Sequence, residues 1–184
     1  MQSSQNLIPH DEGENSSPIP GKDNNAEQLM NQFHEQLEQL LWSEKKLADI
    51  IPQLISKATK DELIVVLTDQ LQETIEHIGR LASMFRLTNQ KTAATQCNEM
   101  AALIIEAENI PEGRTNEIDS NVAIIMVLKK IDHHLSTVYC KLREFAEALD
   151  LSDCEILILD TLSEKKATSL KLVKVATLQD PQPR

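Results

Sequence analysis

Glu44, Glu73, His77, Asp132 and Glu164 are four carboxylates and an imidazole, each midway along a stretch of helical periodicity. Glu44 falls at the next step of the apolar series Leu37, Leu40, Leu41, Leu47, Ile51. A carboxylate at such a step needs a metal, a proton or a cation, because burying it unpaired is expensive. Gln70, Glu73 and His77 follow at i, i+3, i+7 in "DQLQETIEHIGRL" and share a face, with Glu76 close by. Asp132, His133 and His134 sit mid-helix, Asp132 nearest the apolar seam, and Glu164 lies near the edge of another apolar face. Di-metal carboxylate bundles take about one carboxylate from each of four helices and add His from one or two of them. The four acids fit that count, and oxygen and imidazole ligands suit iron or manganese. Plainer readings stand beside this one. Glu73 and His77 form an i, i+4 surface pair, Glu44 simply precedes Lys45 and Lys46, and the polar residues of the last two long helices are ordinary solvated positions.

The elements that must position these residues are helices. Apolar spacing predicts a first helix over 26–58, with Pro52 kinking or breaking it. A short turn with Thr59 or Asp61 as cap leads to a second helix over 61–87. After the polar "LTNQKTAAT" comes a short helix over 93–108, ended by Pro111 and Gly113. A fourth runs over 118–149 on the stripe Ile124, Val127, Ile131, Leu135, Val138, Leu142, Phe145, Leu149. Ser152 and Glu155 make a capping-box pattern for a fifth helix over 153–178, so "CEILILDTL" is helix rather than strand. Short loops make antiparallel neighbours. The expected fold is all-α: a ferritin-like four-helix bundle of two antiparallel α-hairpins with a short extra helix in the crossover. Residues 1–27 are polar and acidic and read as a disordered tail, 28–178 as the bundle, and 179–184 as a frayed end.

Composition excludes several function classes. The chain has 184 residues and a formal net charge of −11, which repels phosphate backbones and anionic lipid, so neither nucleic acid nor membrane is an expected partner. Aromatics at 3% give no base-stacking platform, and four glycines are too few for a phosphate-cradling loop. Cys97, Cys140 and Cys154 are odd in number and lack a C-x-x-C spacing, and no His or Asp constellation accompanies them in sequence. They read as free thiols of a reducing compartment, and with no signal peptide or long apolar run the expected location is cytoplasmic.

Five segments, in this order and spacing, carry a resemblance: "FHEQLEQLLWSEKKL…IP", "QLQETIEHIGRLASMF", "CNEMAALIIEAE", "IDHHLSTVYCKLREFAEALDL" and "DTLSEKKATSLKLVKVA". Over residues 30–178 the chain resembles the YciF/YciE-type ferritin-like proteins of bacteria. The resemblance implies an all-α ferritin-like bundle, usually a homodimer, a di-metal centre and a link to stress responses, with no settled activity. Position by position, Glu44, Glu73, His77, Glu106, Asp132, His133 and Glu164 match acids and histidines of the family pattern. Departures fall at Gln70 for a His, Asp132 for a Glu, His134 for a Tyr, Leu135 for a Glu and Lys165 for a Glu.

Leu135 makes the seam apolar where a ligand is expected, and Lys165 puts a cation where an anion would hold a metal. The expected function is therefore a structural or stress-associated binding protein with a reduced or lost di-metal site. The alternative is an iron or manganese oxidoreductase of ferroxidase or peroxidase type, built on Glu44, Glu73, His77, Asp132 and Glu164. A third reading makes the chain a helical adaptor that uses its acidic tail for recruitment.

Overall fold

A computed structural model describes residues 22–112 and 119–177. The acidic tail over 1–21, Gly113 and the last seven residues lie outside that range. Within it the regular elements are five helices: α1 (Lys22–Lys57), α2 (Asp61–Leu87), α3 (Asn98–Glu108), α4 (Ser120–Ala148) and α5 (Ser152–Thr177). The first helix starts a turn earlier than its apolar pattern, and the third starts five residues later. Helix α1 runs on through Pro52, which lies on its exposed side.

Around the bundle each helix is antiparallel to its neighbours. Glu44 meets Tyr139 and Lys57 meets Ser120 between α1 and α4. Asp69 meets Lys171, and Arg80 meets Thr161, between α2 and α5. α3 packs on α1 and α4. The core between the helices is filled by Phe33, Leu37, Leu47, Leu63, Leu81, Ile131, Leu135, Leu142 and Ile158, each fully buried. The seam of α4 passes through Tyr139 and Ala146, while Val138, Phe145 and Leu149 are only partly buried against it.

The caps differ from the sequence expectation. Lys60, with no side-chain bond, stands at the start of α2. The turn is instead closed from α4, where Asn121 accepts from the Thr59 backbone at 2.9 Å and donates to the Thr59 hydroxyl at 2.7 Å. Ser152 is already the first residue of α5, and Glu155 pairs with Arg143 at 3.1 Å. Two helices close on a left-handed residue that is not glycine. Asn89 (φ 53) and Asp150 (φ 55) take the left-handed position after α2 and α4. The bonds Gln90 N–H to Phe85 carbonyl, 2.8 Å, and Leu151 N–H to Ala146 carbonyl, 2.9 Å, complete a Schellman closure at each.

Candidate functional site

Four helices meet on Glu44. Its position in the apolar series of α1 puts the carboxylate fully inside, at 0% exposure. Three groups reach Oε1: the Lys165 ammonium of α5 at 3.0 Å, the Tyr139 hydroxyl of α4 at 3.0 Å, and His77 Nδ1 of α2 at 3.4 Å. The histidine contact is off-line, so Nδ1 makes no hydrogen bond. Lys165 also lies over the Tyr139 ring, 5.6 Å from its centroid, a cation–π position. Burial works against charge on Glu44, but Lys165 first and His77 next more than offset it and hold its carboxyl down at about 2. Burial, reinforced by the Glu44 charge, raises the Tyr139 phenol well above its usual range.

The network continues outward through α2 and α5. His77 Nε2 is 3.0 Å from Glu164 Oε2. Glu164 receives both ends of the Arg80 guanidinium at 2.6 Å. That fork holds the Glu164 carboxyl below its usual range and raises Arg80. The chain of contacts is thus Lys165, Glu44, His77, Glu164, Arg80, with cations at both ends.

Asp132 sits apart from this chain. It is buried and accepts from the Gln70 amide at 3.2 Å, across from α4 to α2. Burial, opposed by Lys165 and helped by the charges of Glu44 and Glu73, pushes its carboxyl up to about 6. Asp132 Oδ2, Gln70 Oε1 and Glu44 Oε2 are buried oxygens without a hydrogen bond. Glu73 turns to the bundle edge, where it accepts from Thr168 at 2.5 Å and lies 3.8 Å from Lys171.

The five candidate residues therefore separate into three places. Glu44, His77 and Glu164 form one line, Asp132 pairs with Gln70, and Glu73 faces Thr168 and Lys171. Asp132 is buried rather than solvated, as is His77, so neither is an ordinary surface position. Glu106, matched by resemblance, is on the surface with Lys130 at 2.6 Å, and His133 is exposed. Tyr139 and Arg80 belong to the network and were not singled out by sequence. Tyr139 stands one helical turn from Leu135, and Arg80 three residues from His77, so helical spacing alone could have flagged both. The structure also brings Cys97 Sγ to 3.6 Å from His134 Nε2 and 3.4 Å from Glu99, a grouping that the sequence hides. Burial, together with Glu99, pushes that thiol up, opposite to what a nucleophile needs.

A di-metal group does not fit this arrangement. Among the described residues no three His, Cys, Asp or Glu side chains come together as a set able to hold a metal ion. An ammonium already uses the buried carboxylate that would be the central ligand. Nor does the centre open to substrate: Glu44, His77, Tyr139 and Lys165 are at most 4% exposed. A cleft of about 680 Å³ lies elsewhere, where the end of α3 meets the start of α4, between Ile110, Pro111, Val122 and Met126. No helix among the described residues is long and apolar enough to cross a membrane.

Comparison with known proteins places the chain. It is 28% identical over 135 residues to Protein YciF of Escherichia coli (strain K12), covering 73% of this chain and 81% of that protein. The crystal structure of the E. coli stress protein YciF superposes with a TM-score of 0.76 at 27% identity, covering 81% of this chain and 94% of the other. YcfI of Rhodopseudomonas palustris, described as a candidate structural protein, superposes with a TM-score of 0.72 at 28% identity, covering 79% and 92%. Residues 28–181 match the family described as Domain of unknown function (DUF892). The chain belongs to that family, and within it to the YciF type.

Proposed function

We propose that this protein is a structural or binding bundle of the ferritin-like YciF type, associated with stress, whose interior is closed by its own charges rather than by a di-metal centre. The observation that carries this reading is the Lys165 ammonium, 3.0 Å from the fully buried Glu44 carboxylate. A positive charge in contact with the carboxylate opposes a second, divalent cation there by like-charge repulsion. The scattering of Asp132 and Glu73 to partners of their own supports it. The setting it implies is cytoplasmic and homodimeric. Elemental analysis after aerobic purification, together with oxygen consumption on adding Fe(II), tests the reading. Metal far below one per chain and no oxidation above background is the expected result. Stoichiometric iron or manganese, or turnover, overturns it in favour of the oxidoreductase.

A further inference from the structure

Away from the closed centre, the end of α3 and the start of α4 leave a gap between them. Glu106, Asn109 and Ile110, at i, i+3, i+4, line it from one side, and Asp119, Val122 and Met126, at i, i+3, i+7, from the other. Its volume of about 680 Å³ falls within the range of about 300–1,000 Å³ that small-molecule sites occupy. Val122 and Met126 are 43% and 57% exposed. Among the described residues they are the only large apolar side chains that α4 leaves exposed, although the same helix buries Ile124, Ile125, Val127 and Leu128 one step round. An unbranched thioether such as Met126 adapts to the shape of what it meets.

The polar lining is one-sided. Glu106 and Asp119 are carboxylates, and Asn109 donates its amide N–H back to the Ile105 carbonyl at 2.8 Å, which keeps its oxygen as an acceptor. No lysine, arginine or histidine lines the cleft among the described residues. The carbonyl end of α3 adds the negative pole of its dipole. The opposite pole, at the start of α4, is already covered by Asp119, which accepts from the Asn121 backbone N–H at 2.9 Å. Such a wall recognises a donor, and best a charged one. The protein itself already seats one on the rim. Lys130, which is not part of the lining, brings its ammonium to Glu106 at 2.6 Å. Both side chains are about half exposed, so the pair is held weakly and an ammonium from outside competes with it.

We infer that the cleft between α3 and α4 binds an amphipathic organic cation, whose apolar body lies against Ile110, Val122 and Met126 and whose ammonium is taken by Glu106 and Asp119. The net charge of −11 draws such a cation and repels an anion of the same shape. The lining spans only about two turns of α4, which suits a compact ligand rather than the longer groove of a docked helix. The site does not depend on whether the Glu44 centre holds metal.

NMR of the full chain labelled at its methionine methyl carbons tests this, because Met126 reports on the cleft while Met84 and Met100 are buried and Met30 lies on α1. 2-Naphthylmethylamine, a cation at neutral pH, should shift the Met126 methyl and leave the other three in place, with a Kd of about 0.1–1 mM for a ligand of that size. 2-Naphthoate carries the same ring with the opposite charge and should bind at least about tenfold more weakly. The double variant Glu106→Gln/Asp119→Asn should weaken the amine about tenfold and leave the naphthoate no weaker. Its helical signal and melting temperature should match the parent, since Asn caps a helix as well as Asp does. Lys130→Met removes the competing ammonium and should tighten the amine about threefold, an effect that a purely structural role does not produce. Equal binding of amine and naphthoate, shifts spread over all four methyls, or an amine affinity unmoved by both variants overturns the inference. So does a Met126 methyl that the amine leaves fixed, or that only a basic amphipathic peptide moves, which would assign the face to a protein partner.

Discussion

The Lys165 ammonium lies 3.0 Å from Glu44 Oε1, and the Tyr139 hydroxyl reaches the same oxygen at the same distance. One buried carboxylate oxygen is thus shared by a cation and a neutral donor from two different helices, while the other oxygen, Oε2, has no partner. A buried pair of this kind adds little net stability, since the desolvation of both ions offsets their attraction, yet breaking it exposes the full penalty of the ion left behind.

Removing one ion should therefore cost more than removing both. Lys165→Met leaves the Glu44 carboxylate buried with only Tyr139 donating, and should lower unfolding free energy by about 3–5 kcal/mol. The double variant Glu44→Met/Lys165→Met should regain most of that loss, and adding Tyr139→Phe should remove the last unpaired donor. Urea unfolding of the parent, the single variants Glu44→Met and Lys165→Met, and their double gives the coupling as a double-mutant cycle. Strictly additive losses would contradict the pairing.

Acid and base limbs of stability should come from different residues. Glu44 is held at about 2, so its contribution is complete above the ordinary carboxylate range and disappears as pH falls from about 4.5 toward 2. Asp132 is pushed up to about 6, so the folded chain binds that proton more tightly than the unfolded one. Its term runs the other way: stability falls as pH rises from about 4 to 6, by on the order of 3 kcal/mol. Asp132→Asn should flatten the limb between pH 4 and 6 and stabilise the protein at pH 7, leaving the acid limb unchanged. Thermal unfolding from pH 3 to 8 reads both effects.

Lys165→Glu should turn the same centre toward metal. It replaces the cation with a carboxylate beside Glu44 and His77, and leaves a strong repulsion that a divalent ion relieves. The variant should be destabilised as purified and regain several degrees of melting temperature with Mn(II) or Co(II), with Co(II) absorption bands appearing in step. The parent should show neither. A variant indifferent to both metals would mean that Glu44 and His77 are not placed to ligate.

The helices were legible because each stripe of apolar residues faces one core, and a period of 3.6 survives without knowledge of the partner. Glu44 was legible for the same reason, as a charge at a step of that stripe. What it pairs with was not. The Glu44–Tyr139 contact spans 95 positions and the His77–Glu164 contact 87, and nothing local encodes either. Glu73 and His77 share a helical face, yet one turns to the edge and the other inward, because α5 supplies Thr168 and Lys171 on one side and Glu164 on the other. The start of α2 at Asp61 was legible but its cap was not, because the turn before it is closed by Asn121 from α4 rather than by a side-chain cap from Thr59 or Asp61.

Lys57 ties the end of α3 to the start of α4. Its ammonium donates to the Glu108 carbonyl at 2.8 Å, and its own carbonyl accepts from Ser120 at 3.0 Å. The end of α3 and the start of α4 are thereby fixed by the bundle rather than by the length of chain that joins them. Loop closure costs only about 0.6 kcal/mol per doubling of length. The join between α3 and α4 is accordingly a port: a tag, an epitope or a small folded domain spliced there would hang from the bundle without asking the four long helices to move.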